Sequence, residues 1–206
     1  MGIEEKTQQD NEMMERIFLA GIEEFKDSGV KFTMDSLAKR MGISKRTLYE
    51  NISSKTALLE YVVDRTFADV KRQQHEVLRE QGLSTMERLH KLLLIVPSYS
   101  NILDYRRIDE LRVPYPDLYQ KIQNNLESDW DPAMMLLQKA MAEGVIRHVN
   151  LIVLKLLLCE IFEQLLNGKV LIQNNISYEE AMQGMMDIVF EGILVHEKQG
   201  ERGGKV

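Results

Sequence analysis

The chain has 206 residues with 26 Lys+Arg against 32 Asp+Glu, a formal net charge of −6; that balance excludes a polycation that coats nucleic acid through bulk charge. Hydrophobic residues make up 44% and prolines number 4, which excludes disordered and collagen-like chains and leaves one large or two small domains with a full core. The single Cys159 cannot close an intrachain disulfide, and within LLLCEIF it reads as a small buried apolar residue in a reducing, cytoplasmic setting.

The first residues, MGIEEKTQQDNE, are polar and acidic rather than basic then apolar, so no secretory leader is expected. Gly2 invites an acylation reading, but Lys6 stands where Ser or Thr is required. The most informative stretch is residues 33–55, TMDSLAKRMGISKRTLYENISSK. Thr33 caps a helix running to about Arg40, with Asp35 in its first turn, and Gly42 supplies the left-handed corner that ends it. Ser44 caps a second helix carrying Lys45, Arg46, Thr47, Leu48 and Tyr49. The spacing Ala38-x3-Gly42-x5-Leu48 suits a helix-turn-helix: a small residue at the crossing, glycine at the corner, and an apolar residue packing back.

Although the whole chain is acidic, Lys39, Arg40, Lys45, Arg46 and Lys55 are opposed along residues 39–55 only by Glu50. Phosphate attraction is screened over about 8 Å in physiological salt, so the local sign governs. The N-terminal half of the second helix (Lys45, Arg46, Thr47), with Tyr49 and Glu50, is expected to face the major groove, Arg46 forking onto a guanine. Thr33, Lys55 and the amides near Ser54 sit at helix starts, where phosphate oxygens set register. Thr33, Ser44, Lys45, Arg46, Thr47, Tyr49, Glu50 and Lys55 are the DNA-binding candidates.

Helix-start signals recur through the rest of the chain, and no run alternates strictly enough for a strand. A long helix is predicted from about Ser54 to Glu80. Ser84-x-x-Glu87 is a capping box opening a helix with Leu89, Leu92, Leu93 and Val96 before Pro97. Pro114 and Pro116 precede a helical stretch with Leu118, Ile122 and Leu126, and another helix runs from about Pro132 through Ala142 to Gly144. Residues 151–166 form the most apolar window, but Lys155, Glu160, Glu163 and Gln164 interrupt it and about 20 apolar residues are needed to cross a bilayer. A buried or interface helix is expected, and no membrane partner. Ser177-x-x-Glu180 opens a final helix whose Ala181, Met182, Met185, Val189 and Leu194 form one stripe. Paired with the 151–166 helix, that stripe is expected to build a two-fold four-helix interface. The last residues, KQGERGGKV, read as a tail.

The block from Ile17 to about Leu59, IFLAGIEEFKDSGVKFTMDSLAKRMGISKRTLYENISSKTALL, resembles the TetR (tetracycline-repressor-like) family of bacterial transcriptional regulators. The resemblance rests on Phe25-x3-Gly29, on Thr33 followed by Asp35-x-Leu37-Ala38, on Gly42-Ile43-Ser44-Lys45-x-Thr47-Leu48-Tyr49, and on Ser54-Lys55-x2-Leu58-Leu59. One departure is Ile52, where the family usually has an aromatic. The resemblance implies an all-α protein: a three-helix head (residues 1–53) that binds an operator, a helical body (54–198) that binds a small-molecule effector and forms a homodimer, and a tail (199–206). Two heads about one duplex turn apart, or a multiple, would read a palindrome. The resulting expectation is a cytoplasmic, ligand-responsive transcription factor acting as a repressor.

For the effector, the candidate wall residues are Phe67, Leu93, Tyr99, Tyr105, Tyr119, Trp130, Met134 and Leu137, which combine apolar bodies with polar handles. Two other classes compete: a helical small-molecule-binding or interaction protein without DNA-binding activity, and a metal-dependent bundle enzyme. Glu87-x-x-His90 is half of a di-iron signature, but His75, His148 and His196 lack a Glu three residues earlier. No zinc spacing, phosphate-cradling loop or nucleophile elbow occurs, so no enzyme activity, catalytic residue, metal or cofactor is expected.

Overall fold

The computed structural model describes residues 2–128, 130–166 and 169–195. His196 and the 199–206 tail lie outside the described residues. The fold is all-α. Helices α1 (Gly2–Ser28), α2 (Met34–Met41) and α3 (Lys45–Asn51) form the N-terminal unit, with a 3-10 turn at Gly29–Lys31 between the first two. The long α4 (Lys55–Arg79) leads into α5 (Thr85–Leu93), a 3-10 segment (Tyr105–Leu111), α6 (Pro116–Glu127), α7 (Asp131–Ala142), α8 (Leu151–Leu166), α9 (Lys169–Asn174) and α10 (Tyr178–Ile193). Among the described residues the extended pairing is a single antiparallel bridge between Ile146 and Leu194. It fastens the end of α10 to the turn after α7.

Side-chain caps fix where the helices begin. Thr33, Ser44, Ser54, Ser84 and Ser177 each accept a backbone N–H from three residues ahead, at 3.0 to 3.2 Å. A cap of this kind contributes about 1 kcal/mol and satisfies a donor the helix leaves unpaired. At Ser84 and Ser177 the glutamate three residues on returns the bond to the cap's own N–H.

Two clusters make the core. The first joins Ile17, Phe25, Leu37, Leu48 and Leu58 of the N-terminal unit and α4 to Leu111, Leu118 and Ile122, so the head is seated on the body by apolar burial. The second gathers Leu89, Leu92, Leu137, Leu158, Met186 and Phe190 from α5, α7, α8 and α10. At the seam the Val30 N–H donates to Glu110 Oε2 at 3.0 Å, tying the 3-10 turn of the head to the 3-10 segment of the body.

Two expectations are corrected. Helix α5 stops at Leu93 rather than reaching Val96, because a residue before proline is pushed out of helical geometry and Gln73 Nε2 takes the Val96 carbonyl at 2.9 Å. The stripe on α10 does not stand free for a partner: Met182 and Met185 are buried in this chain's own core. The outward face of α10 carries Gly184, Ile188 and Gly192 instead, with Ile188 75% exposed.

Candidate nucleic-acid interface and internal cavity

The α2–α3 unit is built from the residues the spacing singled out. Thr33 forms a reciprocal capping box with Ser36. Gly42 ends α2 at φ +68, a left-handed angle that costs a side-chain-bearing residue about 1–2 kcal/mol. Ala38 and Leu48 are buried where the two helices meet, and Ile52 is buried beneath the end of α3. Helix α3 therefore turns Leu48 inward and Lys45, Arg46, Tyr49 and Glu50 outward. The Arg46 side chain is 89% exposed. Thr47 is half-buried, its hydroxyl 2.8 Å from that of Ser44, so these two candidates spend their side chains on the cap itself.

The basic cluster is less free than the linear sequence suggests. Arg40 is gripped by three acids of α1: Nε donates to Glu24 at 2.6 Å, Nη2 to Asp27 at 2.5 Å and Nη1 to Glu23 at 3.3 Å. The bonds to Glu24, then Asp27, raise its already high pKa further. Glu24 is buried and also accepts from the Ser36 hydroxyl at 2.6 Å, so this network anchors α2 on α1. Lys45 pairs with Asp35, and Arg46 with Glu50 at 3.0 Å. Both pairs are exposed, where such contacts are worth about 0–1 kcal/mol and yield readily to a phosphate or base.

Lys55 is placed differently from the phosphate contact expected of it. Its ammonium donates to the carbonyls of Val30 and Phe32 at 2.5 and 2.6 Å and lies 4.3 Å from the centre of the Phe32 ring. Burial pushes its pKa down. Lys55 thus closes the 3-10 turn before α2 onto the start of α4, a structural duty that a helix-start position does not reveal.

Between the two core clusters lies a cavity of about 220 Å³, walled by α1, α4, α5, the 3-10 segment, α6, α7, α8 and α10. Of the expected wall residues it brings together Phe67, Leu93, Tyr105 and Trp130. The other four lie elsewhere. Tyr99 packs edge-on against Phe18 at 4.7 Å, and Tyr119 is buried in the first cluster. Leu137 and Met134 belong to the second. The Trp130 indole N–H is already used, donating to Leu126 O at 2.9 Å. Phe162, stacked on Trp130 at 5.7 Å, and Tyr178, stacked on Tyr105 at 4.3 Å, are wall residues that the sequence reading missed. Both sit on helices read as buried or interface elements rather than as cavity walls, although their aromatic character among aliphatics was a usable signal.

The Glu87–His90 pair has other employment. Glu87 closes the Ser84 cap, and the His90 ring lies 5.2 Å from that of Phe190. Among the described residues no group of three or more His, Cys, Asp or Glu is placed to hold a metal ion, and no helix is long and apolar enough to cross a membrane.

Residues 17–62 match the family model described as "Bacterial regulatory proteins, tetR family". Over 186 residues the chain is 25% identical to the uncharacterized HTH-type transcriptional regulator YvaF of Bacillus subtilis (strain 168), covering 90% of this chain and 98% of that protein. The fold is similar to that of the ketosteroid transcriptional regulator KstR2 of Mycobacterium tuberculosis (TM-score 0.64, 13% identity, 89% of this chain and 96% of the other). It is also similar to a gamma-butyrolactone receptor described as ArpA-like (TM-score 0.54, 14% identity, 91% and 90%).

Proposed function

We propose that this chain is a member of the tetR family of bacterial regulatory proteins, whose family model residues 17–62 match, and a transcriptional repressor in the cytoplasm whose grip on a palindromic operator is set by a small molecule. The observation that carries the DNA half is the outward face of α3. Arg46 and Tyr49 stand in solvent while Leu48, between them in sequence, is fully buried, so the helix is held rigidly with its polar edge presented.

Reading a palindrome requires two copies. On α8 the side chains of Ile152, Val153, Leu156 and Leu157 are 48–74% exposed, and Ile188 on α10 is 75% exposed. Such an apolar surface on two neighbouring helices supports a homodimer through α8 and α10. The effector half is supported by the cavity and by its neighbour in sequence: Tyr105, Ile108 and Leu111 of the 3-10 segment line the space, while Glu110 of the same segment holds the Val30 amide of the head. A ligand that binds the two settings of this segment unequally shifts the operator affinity. Regulators of the same fold include a ketosteroid regulator and a gamma-butyrolactone receptor, which favours a small molecule over a macromolecular signal.

The second reading, a ligand-binding protein whose head no longer reads DNA, is favoured by one observation: Arg40, Lys45, Arg46 and Lys55 all have partners within the chain. Fluorescence anisotropy with duplex from upstream of the protein's own coding sequence, titrated at two salt concentrations, decides. Salt-sensitive binding of two protomers per site is expected. No salt-sensitive binding to this or any other genomic fragment leaves the second reading standing.

A further inference from the structure

The wall of the cavity restricts what can occupy it. Its lining is apolar apart from a few groups, Gln74 and Tyr178 among them, and four of the donors are committed within the chain. The Thr66 hydroxyl donates to Val62 O at 2.7 Å, the Asn125 amide to Lys121 O at 2.8 Å, the Ser128 hydroxyl to Asn125 O at 3.1 Å, and the Trp130 indole to Leu126 O. Tyr105 differs. It is 7% exposed, and its hydroxyl is buried with no hydrogen-bond partner among the described residues. An orphaned buried hydroxyl costs about 1–3 kcal/mol; Tyr105 lines the cavity but its hydroxyl has no surface open to it, so an occupant that shifts the ring uncovers a donor in want of a partner. Burial raises the Tyr105 pKa, so at neutral pH the phenol keeps its proton and acts as a donor.

Charge narrows the choice further. The charged side chain on the wall is Lys71, which is exposed at the rim and already has an interaction of its own. An ionised group carried into the interior would find no countercharge, and burying an unpaired ion is prohibitive. The size also fits a small guest. Cavities of about 150 Å³ accept benzene and typical ligand sites begin at about 300 Å³, so about 220 Å³ suits a molecule of roughly ten carbons.

We propose that the effector is a neutral, predominantly apolar molecule of this size bearing a carbonyl or similar oxygen, and that the oxygen accepts the hydrogen bond of the Tyr105 hydroxyl. This rests on the cavity being the effector site. The test uses two ten-carbon probes, 2-decanone and decanoate, read by the emission of Trp130, the chain's single tryptophan, which lines the cavity. The ketone binds the wild-type protein at least tenfold more tightly than the carboxylate. Tyr105→Phe weakens the ketone by roughly three- to tenfold, the worth of one neutral hydrogen bond, without lowering the melting temperature of the ligand-free protein, because it removes an unpaired donor. Decanoate binding as tightly as the ketone overturns the neutral class, and an unchanged ketone affinity in Tyr105→Phe overturns the role of Tyr105. In both cases the effector reading survives if the bound probe still alters operator affinity. Binding of neither probe, with operator binding intact, removes the proposal together with the cavity as an effector site and leaves the DNA-binding reading in place.

Discussion

Replacing Gly29 with alanine tests whether the head is latched to the body through the 3-10 turn. Gly29 has φ +57, so any β-carbon there costs about 1–2 kcal/mol of backbone strain. The new methyl would also overlap the Glu110 carboxylate and crowd the Arg107 guanidinium. Glu110 is a flexible side chain and will swing away, but doing so gives up its bond to the Val30 N–H. A hydrogen bond to a charged group is worth about 1.5–3 kcal/mol, and the exposure of this one argues for the low end. Gly29→Ala should therefore lose about 2.5–3.5 kcal/mol in urea unfolding at unchanged slope. Glu110→Ala should lose about 1.5 kcal/mol. In the Glu110→Ala background the glycine change should cost only the strain, so the cycle carries a coupling of about 1 kcal/mol or more. Additive losses would falsify the latch, as would a Gly29→Ala protein as stable as the wild type.

Arg46→Ala should change stability by less than about 0.5 kcal/mol, since its pairing with Glu50 is an exposed helix contact, yet cost about 1–3 kcal/mol in operator binding and relax preference at one base position. Uniform loss over all duplexes would make it a backbone contact instead. Lys55→Met should destabilise the fold by about 1.5–3 kcal/mol by freeing the Val30 and Phe32 carbonyls while leaving the salt slope of DNA binding unchanged; a slope smaller by about one counterion would return Lys55 to the phosphates. Asp69 is the acid-sensitive group. Burial opposes its charge, but the Ser98 amide at 2.7 Å, then Arg72, the Ser98 hydroxyl and Gln73, outweigh it and hold the carboxylate below its ordinary pKa of 3.8. A carboxylate depressed on folding contributes stability that is complete above its unfolded value and vanishes as pH falls through the folded one. Asp69→Asn should therefore lose about 1.5–3 kcal/mol at pH 7 and flatten the decline below pH 3.8; an unaltered acid limb refutes the assignment.

The head was legible because its determinants are local. Caps at Thr33, Ser44 and Ser54 act within three residues of chain, Gly42 is needed where a left-handed angle falls, and the Ala38–Leu48 crossing joins helices separated only by a turn. What stayed hidden there was charge from elsewhere. Glu23, Glu24 and Asp27 precede Arg40 by 13 to 17 residues, a spacing without a helical period, and only the packing of α2 on α1 brings them together. Lys55 was misjudged for the same reason, because its carbonyl partners lie 23 and 25 residues away.

The cavity was only half legible because it belongs to no single stretch of chain. Its wall draws on α1, α4 to α8 and α10 with the 3-10 segment, and periodicity identifies which face of a helix is apolar without saying whether that face meets a neighbour or a void. Tyr99 and Tyr105 illustrate the limit. Both are tyrosines in the same loop region with buried hydroxyls, yet one packs on Phe18 of the head while the other lines the cavity. That divergence has a mechanical consequence. Residues 99–111 touch the head through Tyr99 and Glu110 and the cavity through Tyr105, Ile108 and Leu111. A displacement of the Tyr105 ring by an occupant is therefore a displacement of a segment already bonded to the 3-10 turn that precedes α2. The hydrogen bond from Val30 to Glu110 then either holds and carries the strain into the helix-turn-helix, or breaks and frees the head. Amide exchange at Val30 with and without 2-decanone separates the two, since protection is retained in the first and lost in the second. Operator affinity that responds to the ketone while Glu110→Ala leaves the response untouched would show that the signal travels by another path, through α4 or through Gly21, Ile22 and Phe25 of α1, which line the cavity from the head itself.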